Sequence, residues 1–219
     1  MTKDTGVAIH SDALLGKRVL LAIAGGIAAV ESVRLARELR RHQADLTVIM
    51  SEEATKIITP LAVSWGSDTI VHQGWSSEMS QLEAFDLILI APATRNTISK
   101  HLHGIMDSPL LMALSASRGR KSKLCFVPSM HTDLFDDPVT SKLLDALRDE
   151  GSHVIINEVD EGKLKQPDPI SIVAEVCHIA NRSQSSKSIA ITMGANRAPI
   201  DAVRAIQNAS SGRTGWIIA

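Results

Sequence analysis

Short apolar runs recur along the chain, and segments with helical spacing lie between them. The runs do not alternate polar with apolar residues, which is typical of strands that are covered on both faces of a parallel sheet. Strands and helices that alternate in this way predict an α/β fold with a doubly wound parallel sheet. The predicted strands are residues 18–24, 45–50, 86–91, 123–127, 153–156 and 188–193.

The segment that follows the first run is predicted to be an amphipathic helix. Its small and apolar residues recur every three or four positions and should pack on the sheet, whereas its charged residues share another face that should meet water. The first set is Ala28, Ser32, Leu35, Ala36 and Leu39, and the charged set is Glu31, Arg34, Glu38 and Arg41.

The composition excludes several classes of partner. With 219 residues and a net charge of -1, the chain can bury a full core and has no electrostatic reason to bind a polyanion. It has no Tyr, three Phe and three Trp, too few aromatic side chains for a nucleic-acid stacking surface. No apolar run approaches the roughly 18 residues that span a bilayer, and no leader pattern opens the chain. We therefore expect a cytoplasmic protein with reduced, buried thiols at Cys125 and Cys177, and neither nucleic acid nor a membrane as partner.

Residues 19–31, VLLAIAGGIAAVE, combine an apolar strand, a two-glycine turn and the start of a helix. Small residues let the backbone N–H groups at the positive end of a helix approach an anion such as a phosphate. However, Gly25 and Gly26 lack the G-x-G-x-x-G spacing of dinucleotide-binding folds. A tight turn between strand and helix therefore explains the pattern equally well.

Residues 87–97, LILIAPATRNT, predict a buried strand that ends at Ala91, is broken by Pro92 and is followed by small polar residues. Ligands of open α/β sheets bind at this end of the strands. Asn96 can donate and accept hydrogen bonds at once, which suits a substrate carboxylate or a flavin edge, and a helix cap is its alternative role. Residues 126–138, FVPSMHTDLFDDP, repeat the order of strand, proline and polar loop. Two such loops at one edge of the sheet predict a binding site.

Four segments, GGIAA, APATRNT, HGIMDSPLL and PSMHTDLF, together resemble the flavin-containing cysteine decarboxylases. The likeness covers about residues 16–180 and is greatest to the decarboxylase half of archaeal bifunctional phosphopantothenoylcysteine decarboxylase/synthetases. It implies a Rossmann-like flavoprotein that binds FMN and decarboxylates a small thiol substrate, 4'-phosphopantothenoylcysteine, in coenzyme A biosynthesis. In this family FMN oxidises the cysteinyl thiol, the neighbouring carboxylate leaves, and the hydride is returned.

The resemblance also implies a role for each matching residue. Asn96 is the expected catalytic asparagine, and no metal is expected. Met130 and His131 are expected to hold the pantothenoyl part of the substrate. The expected FMN contacts are Gly25, Gly26 and Ile27 at the phosphate, Ser51 after the second strand, and Ala93 and Thr94 beside the cofactor.

The resemblance continues into the tail, where MGANRAPIDAVRAIQNASSGRTG is similar to the opening of the synthetase half. It predicts an FMN-binding flavoprotein domain at residues 16–182, a linker at 183–187 and the N-terminal fragment of a synthetase-like domain at 188–219. The trimer-based assemblies of this family imply a homo-oligomer.

One residue that the resemblance implies is absent. The family places a histidine base about eight residues before the acidic residue that opens the central strand, here Asp86. No histidine lies between His72 and His101, and Glu78 or Met79 stands where the base belongs. We therefore expect FMN binding with slow or no decarboxylation, unless His72 or His101 replaces the base. A catalytically silent FMN-binding partner subunit and a redox flavoprotein with another substrate remain as alternatives.

Overall fold

The structure is a computed structural model that describes residues 6–75, 77, 79–157, 159–182, 197–199 and 205–207. The chain divides into two compact units, Met1–Asn181 and Arg182–Ala219. The strand predicted at 188–193 and the linker predicted at 183–187 lie outside the described residues. In the second unit, strands Arg197–Pro199 and Ala205–Gln207 pair antiparallel.

The first unit is built on a parallel sheet, as predicted, and the sheet has six strands. Its strands in chain order, with those of a smaller sheet, are β1 (Arg18–Ile23), β2 (Asp45–Met50), β3 (Val71–Gln73), β4 (Leu87–Ala93), β5 (Lys123–Pro128), β6 (Met130–His131), β7 (His153–Val154), β8 (Val159–Asp160) and β9 (Lys163–Leu164). The large sheet has the order β3-β2-β1-β4-β5-β7, so the direction of winding reverses between β1 and β4. This reversal is the topological switch point of a Rossmann-like fold.

Helices cover both faces of the large sheet. They are α1 (Ser32–Arg41), α2 (Glu52–Thr55), α3 (Pro60–Ser67), α4 (Arg95–Leu102), α5 (Pro109–Gly119), α6 (Thr132–Phe135), α7 (Pro138–Asp149) and α8 (Pro169–Asn181). Val19, Leu21 and Ile23 share one apolar core with residues of α1, α3 and α8. Leu20 and Ala22 share the other core with residues of α4, α5 and α7. Both sides of β1 are therefore buried, which explains why its sequence does not alternate.

The strands differ from the prediction in three places. Pro92 does not end β4, because the strand continues to Ala93 while its register with β5 shifts after Ile90. The strand predicted at 153–156 contains only His153–Val154. Strand β3 was not predicted, because its three residues at the edge of the sheet include a histidine and a glutamine.

The polar loop predicted after β5 contains strand β6. This strand pairs antiparallel with β9, which in turn pairs with β8, so the three form a small separate sheet. The N–H of Thr132 donates a hydrogen bond to the carbonyl oxygen of Gly162 at 3.0 Å and extends the connection into α6. The small sheet therefore brings residues 129–131 beside residues 163–166, which are distant in sequence.

The helix predicted after β1 begins later and is covered more fully than expected. Residues Ile27–Glu31 form a 3-10 helix, and the regular helix α1 follows it. Glu38, predicted to meet water, is only 3% exposed. The reason is that the segment before β1 folds back over the end of α1, where the His10 N–H donates to the Arg41 carbonyl oxygen at 2.8 Å.

The two cysteines are free thiols within regular elements, as predicted. Cys125 is buried in β5 and Cys177 is half-buried in α8. Burial raises the pKa of Cys125 to about 12 and that of Cys177 to about 11, so both remain protonated at neutral pH. Across the helices that the structure describes, none has the length and apolarity that crossing a bilayer requires.

Candidate functional site

The carboxyl end of β1 lies between the ends of β2 and β4, at the switch point. The Ser51 N–H donates to the carbonyl oxygen of Ile23 at 2.9 Å. On the other side, the Ala24 N–H donates to the carbonyl oxygen of Pro92 at 3.3 Å. These bonds hold the three strand ends side by side. Five residues predicted to contact FMN meet at this edge of the sheet: Gly25, Gly26, Ser51, Ala93 and Thr94.

The two glycines of the turn have different steric roles. A Cβ atom on Gly25 would overlap the Cβ of Glu53 and lie 2.9 Å from the Glu53 carbonyl carbon, so the turn packs directly on the backbone of α2. A Cβ atom on Gly26 would meet Pro92 Cγ and Thr94 Cγ2 at 3.5 Å each, which is ordinary contact. Gly25 is therefore required by the fold, whereas Gly26 leaves an open cradle beside the end of β4.

The turn offers backbone donors to an anion. The 3-10 helix that follows Gly26 has no side-chain cap. The first N–H groups of a helix have no partner within the helix, and they favour negative charge. The predicted phosphate contact at this turn is therefore chemically consistent with the structure.

Ser51 and Thr94 place hydroxyl groups at the same edge. Ser51 Oγ accepts a hydrogen bond from the Ala54 N–H at 3.2 Å, and Thr94 Oγ1 accepts one from the Thr97 N–H at 3.2 Å. Both side chains thus cap helices, and the caps fix where the hydroxyls lie. Ala93, in contrast, is fully buried and its methyl group packs in the core. It could contact a cofactor only through its backbone.

Asn96 is exposed in the first turn of α4. Its alternative role as the helix cap is wrong, because Thr94 caps this helix. The neighbouring Arg95 makes an ion pair with Asp137 at 2.7 Å, which ties the start of α4 to the start of α7. A hydrogen bond from the Val139 N–H and the Arg95 guanidinium lower the pKa of Asp137, so the pair persists at mildly acidic pH. The side chain of Asn96 therefore stands on a fixed helix end.

A pocket of about 420 Å³ begins where the glycine turn ends. Three predicted site residues line it: Ile27, Met130 and His131. Ile27 is 77% exposed and shares this pocket with the two residues predicted for the substrate. His131 Nδ1 lies 3.2 Å from Asp133 Oδ2. The rest of the wall is formed by Ala28, Glu31, Ser129, Lys163, Leu164, Lys165 and Gln166.

Two residues of this wall, Gln166 and Lys163, were not identified from the sequence. The side-chain nitrogen and oxygen of Gln166 are both buried, and neither has a hydrogen-bond partner among the described residues. An unpaired buried polar group costs roughly 1–3 kcal/mol, so this amide is prepared for a ligand that both donates and accepts. Lys165 pairs with Asp160 at 2.7 Å, whereas Lys163 is exposed and forms no ion pair within the described part of the chain. No local pattern marks either residue, because strand pairing across about thirty residues creates the pocket.

The segment before β4, where the base was expected, is built differently. Ser76 and Glu78 lie outside the described residues. Met79 is 41% exposed and has a φ of 51°, in the left-handed region that side chains other than glycine rarely adopt. Gln81 is buried and its amide donates to the Met79 sulfur at 3.3 Å. Residues 73–100 contain no histidine.

Within one chain, the two flanking histidines lie away from the carboxyl end of β4 and from the start of α4. His72 is on the edge strand β3, which β2 and β1 separate from β4 by about 14 Å at roughly 4.8 Å per strand. His101 lies about 9 Å along α4 from Arg95 and is 2% exposed. Its Nε2 is 2.9 Å from Glu150 Oε1, and burial lowers the pKa of His101, partly opposed by that hydrogen bond.

A doubly wound sheet with an open turn at its switch point and a pocket beside it defines a Rossmann-like ligand-binding protein. The sequence model of the Flavoprotein family matches residues 7–181, and the chain belongs to this family. A second family model, described as the DNA/pantothenate metabolism flavoprotein C-terminal domain, matches residues 184–219.

Individual relatives agree with this membership. The chain is 38% identical over 220 residues to the coenzyme A biosynthesis bifunctional protein CoaBC of Thermococcus kodakarensis, which covers 97% of this chain and 54% of that protein. The chain thus spans about half the length of the curated relatives it matches.

Two solved structures share the fold. MrsD from a Bacillus species superposes with a TM-score of 0.69 at 20% identity, over 78% of this chain and 99% of that one. A mutant PPC decarboxylase complexed with pantothenoylaminoethenethiol superposes with a TM-score of 0.63 at 21% identity, over 73% and 96% of the two chains. These likenesses confirm the predicted Rossmann-like architecture.

Proposed function

We propose that this chain is an FMN-dependent carboxy-lyase that converts 4'-phosphopantothenoylcysteine to 4'-phosphopantetheine in coenzyme A biosynthesis. The observation that carries the proposal is the pocket beside the glycine turn, which joins Met130 and His131 to the unpaired amide of Gln166. Membership in the Flavoprotein family and similarity to CoaBC support the same reaction.

The residues at the switch point fit FMN. Its phosphate would lie at the turn of Gly25 and Gly26, where the glycines themselves carry no side chains and the following helix has no side-chain cap. The hydroxyls of Ser51 and Thr94 are fixed at the neighbouring strand ends. When bound, FMN supplies the redox chemistry that lets a cysteinyl thiol activate the loss of the adjacent carboxylate.

The pocket fits a substrate with amide groups and a phosphate. The Gln166 side chain can donate to an amide oxygen and accept from an amide N–H at the same time. Lys163 is exposed and has no ion pair with any residue that the structure describes, so its ammonium group can pair with an anionic group. Ile27 and Met130 provide apolar wall for the intervening carbon chain.

Asn96 is the residue we assign to the carboxylate that leaves. Its amide can donate hydrogen bonds and carries no charge, so it orients a carboxylate without the strong ion pairing that would hold it in place. The rigid start of α4 positions the amide, because Thr94 caps the helix and Arg95 anchors it to α7.

A catalytically silent FMN-binding subunit is the second candidate, and the missing histidine between residues 73 and 100 favours it. In such a subunit the turn and the pocket would persist, while the proton transfer would fail. A redox flavoprotein that acts on another substrate would share the same cofactor site.

We place the protein in the cytoplasm as a trimer-based homo-oligomer. We also propose three parts of the chain, an FMN-binding domain at 16–182, a linker at 183–187 and a synthetase-like fragment at 188–219. The family matches at residues 7–181 and 184–219 support this division. Deleting residues 184–219 should leave FMN affinity unchanged in a fluorescence titration, and a loss of affinity would contradict the division.

The reaction is tested by measuring FMN content and carbon dioxide release on the full chain. The substrate is phosphopantothenoylcysteine, and pantothenoylcysteine without the phosphate is its control. We expect bound FMN, slow release of carbon dioxide from the phosphorylated substrate, and no release by Asn96→Ala. Failure to bind FMN would contradict the proposal, and FMN binding with no release at all would favour the silent subunit.

A further inference from the structure

A second cluster of ligand-type side chains lies at the end of α1, under the segment that precedes β1. It consists of His10, Glu38 and His42, and it is independent of the pocket described above. One ring nitrogen of each histidine and one carboxylate oxygen of Glu38 all lie within 4.8 Å of one another. The glutamate side chain is 4% exposed, while the His42 and His10 side chains are 19% and 46% exposed.

The distances within this cluster match metal ligands better than hydrogen bonds. Glu38 Oε1 is 3.5 Å from His42 Nε2 and 3.9 Å from His10 Nδ1. Both distances exceed the roughly 2.7–3.2 Å of an N–H···O hydrogen bond. Two ligands that each lie about 2.0–2.1 Å from one tetrahedral ion are separated by roughly 3.3–3.5 Å. The Glu38–His42 pair already has this spacing, and the partly exposed His10 side chain would move inward to complete the site.

A hydrogen bond orients the His42 ring for such a role. Ser11 Oγ lies 2.6 Å from His42 Nδ1, and the same oxygen accepts a hydrogen bond from the Ala13 N–H at 3.2 Å. When Nδ1 donates to this oxygen, the lone pair of Nε2 faces Glu38. Histidines that ligate metals almost always donate their other ring nitrogen to a carboxylate, a backbone carbonyl or water, and the Ser11 hydroxyl oxygen would serve as the acceptor here.

The remaining oxygen of Glu38 is already occupied. Arg41 Nη1 lies 2.5 Å from Oε2, which leaves Oε1 for the two histidines. The arginine charge also lowers the affinity for a cation, so we expect a moderate rather than a very tight site. The buried carboxylate gains partners for both of its oxygens when an ion is present.

We propose that His10, Glu38 and His42 bind one Zn²⁺ ion. Two imidazoles and one carboxylate are a donor set that zinc prefers, and a water molecule would complete four ligands. The ion would fasten the segment before β1 to the end of α1, in addition to the bond from the His10 N–H to the Arg41 carbonyl oxygen. It would stabilise the fold without taking part in reactions at the switch point.

The test is calorimetric titration of Zn²⁺ into the full chain after chelator treatment and desalting. We expect one ion per chain and at least about 10-fold weaker binding for His10→Ala and His42→Ala. Ser11→Ala should also weaken binding, because it removes the partner of His42. His103→Ala is the matched control, an exposed histidine at the end of α4 whose removal should leave zinc binding unchanged.

Thermal unfolding gives an independent readout. Zinc should raise the Tm of the unmodified chain and not that of His10→Ala, because a ligand stabilises only the form that binds it. Since His10 is half exposed, this variant should fold even if His42→Ala does not. The absence of zinc binding, or binding that His10→Ala leaves unchanged, would overturn the proposal.

Discussion

The turn after β1 and the segment before β4 are two parts of one expected active site, and they are built in opposite ways. The turn is held by hydrogen bonds from both neighbouring strand ends and packs on α2 so closely that Gly25 admits no side chain. In the other segment, Trp75 and Met79 are exposed, and a single 3-10 turn, Ser80–Leu82, precedes the strand. The cofactor side therefore depends on the ends of the sheet strands, whereas Met79, one of the two positions expected for the base, is an exposed residue outside the regular elements.

This difference has a consequence for function. A substitution at Gly25 should disturb the fold and FMN binding together, because the turn packs closely on α2 at this residue. Met79, in contrast, is an exposed side chain that cannot accept a proton, and neither apolar core of the described residues includes it. The chain can thus keep its cofactor site while it loses most of its catalytic rate.

Substitutions in the glycine turn should have the largest effects on stability and FMN affinity. Gly25→Ala should lower the free energy of unfolding by about 1–3 kcal/mol, because the new methyl group overlaps Glu53. Gly26→Ala should keep the fold, because its methyl group meets Pro92 and Thr94 at ordinary contact distance. Gly26→Val should fold but bind FMN weakly, since it fills the cradle. Urea unfolding measures the stability of these variants, and fluorescence titration measures their FMN affinity. An FMN affinity of Gly26→Val equal to that of the unmodified chain would contradict the phosphate assignment.

Removing the Gln166 amide from the pocket should not lower stability, in contrast to the change at Gly25. Gln166→Met should leave stability unchanged or raise it, because a buried polar group without a partner disappears. The same change should raise the KM for phosphopantothenoylcysteine about 10-fold if it removes roughly 1.4 kcal/mol of substrate binding. Gln73→Met, at an exposed position of β3, is the matched control and should change neither quantity. A stability loss without a change in KM would show that Gln166 has a structural role.

A smaller effect is expected on the pH dependence of stability, and it tests whether His101 has a structural role. Burial lowers its pKa, so the unfolded chain binds the proton more readily than the folded chain. Its contribution to stability is therefore complete above the unfolded-state pKa of about 6.5 and is lost as the pH falls below it. Urea unfolding between about pH 7.5 and 5.5 should show a steeper loss for the unmodified chain than for His101→Gln. Equal slopes would show that the protonation of His101 does not contribute to the pH dependence of stability.

Much of the fold could be predicted because β1, β2, β4 and β5 are buried on both faces and carry long apolar runs. The glycine turn and the prolines after the third and fourth runs likewise marked the edge where site residues meet. Strands β6, β8 and β9 could not be predicted, because each has two residues and their pairing is decided by contacts distant in sequence. The place of Gln166 in the pocket depends on that pairing, so it could not be predicted from the sequence either.

Glu38 shows a second limit of sequence patterns. Helical periodicity identifies the face that packs on the sheet, and Leu35 and Leu39 are buried there as predicted. It carries no information about a segment that covers the opposite face. Here residues before β1 cover Glu38, so a charged residue of the expected solvent face became part of the proposed zinc site.

If the cofactor site is intact while the base is missing, turnover per bound FMN should be limited by proton transfer. Carbon dioxide release from phosphopantothenoylcysteine would be compared among FMN-saturated samples of the unmodified chain, Glu78→His, Met79→His and the neighbouring control Ser77→His. Because a general base contributes about 100- to 10,000-fold, one of the first two variants should exceed the unmodified chain by that factor, and Ser77→His should not. Rapid turnover by the unmodified chain that is lost in His72→Ala would show instead that a base is present and that it is His72.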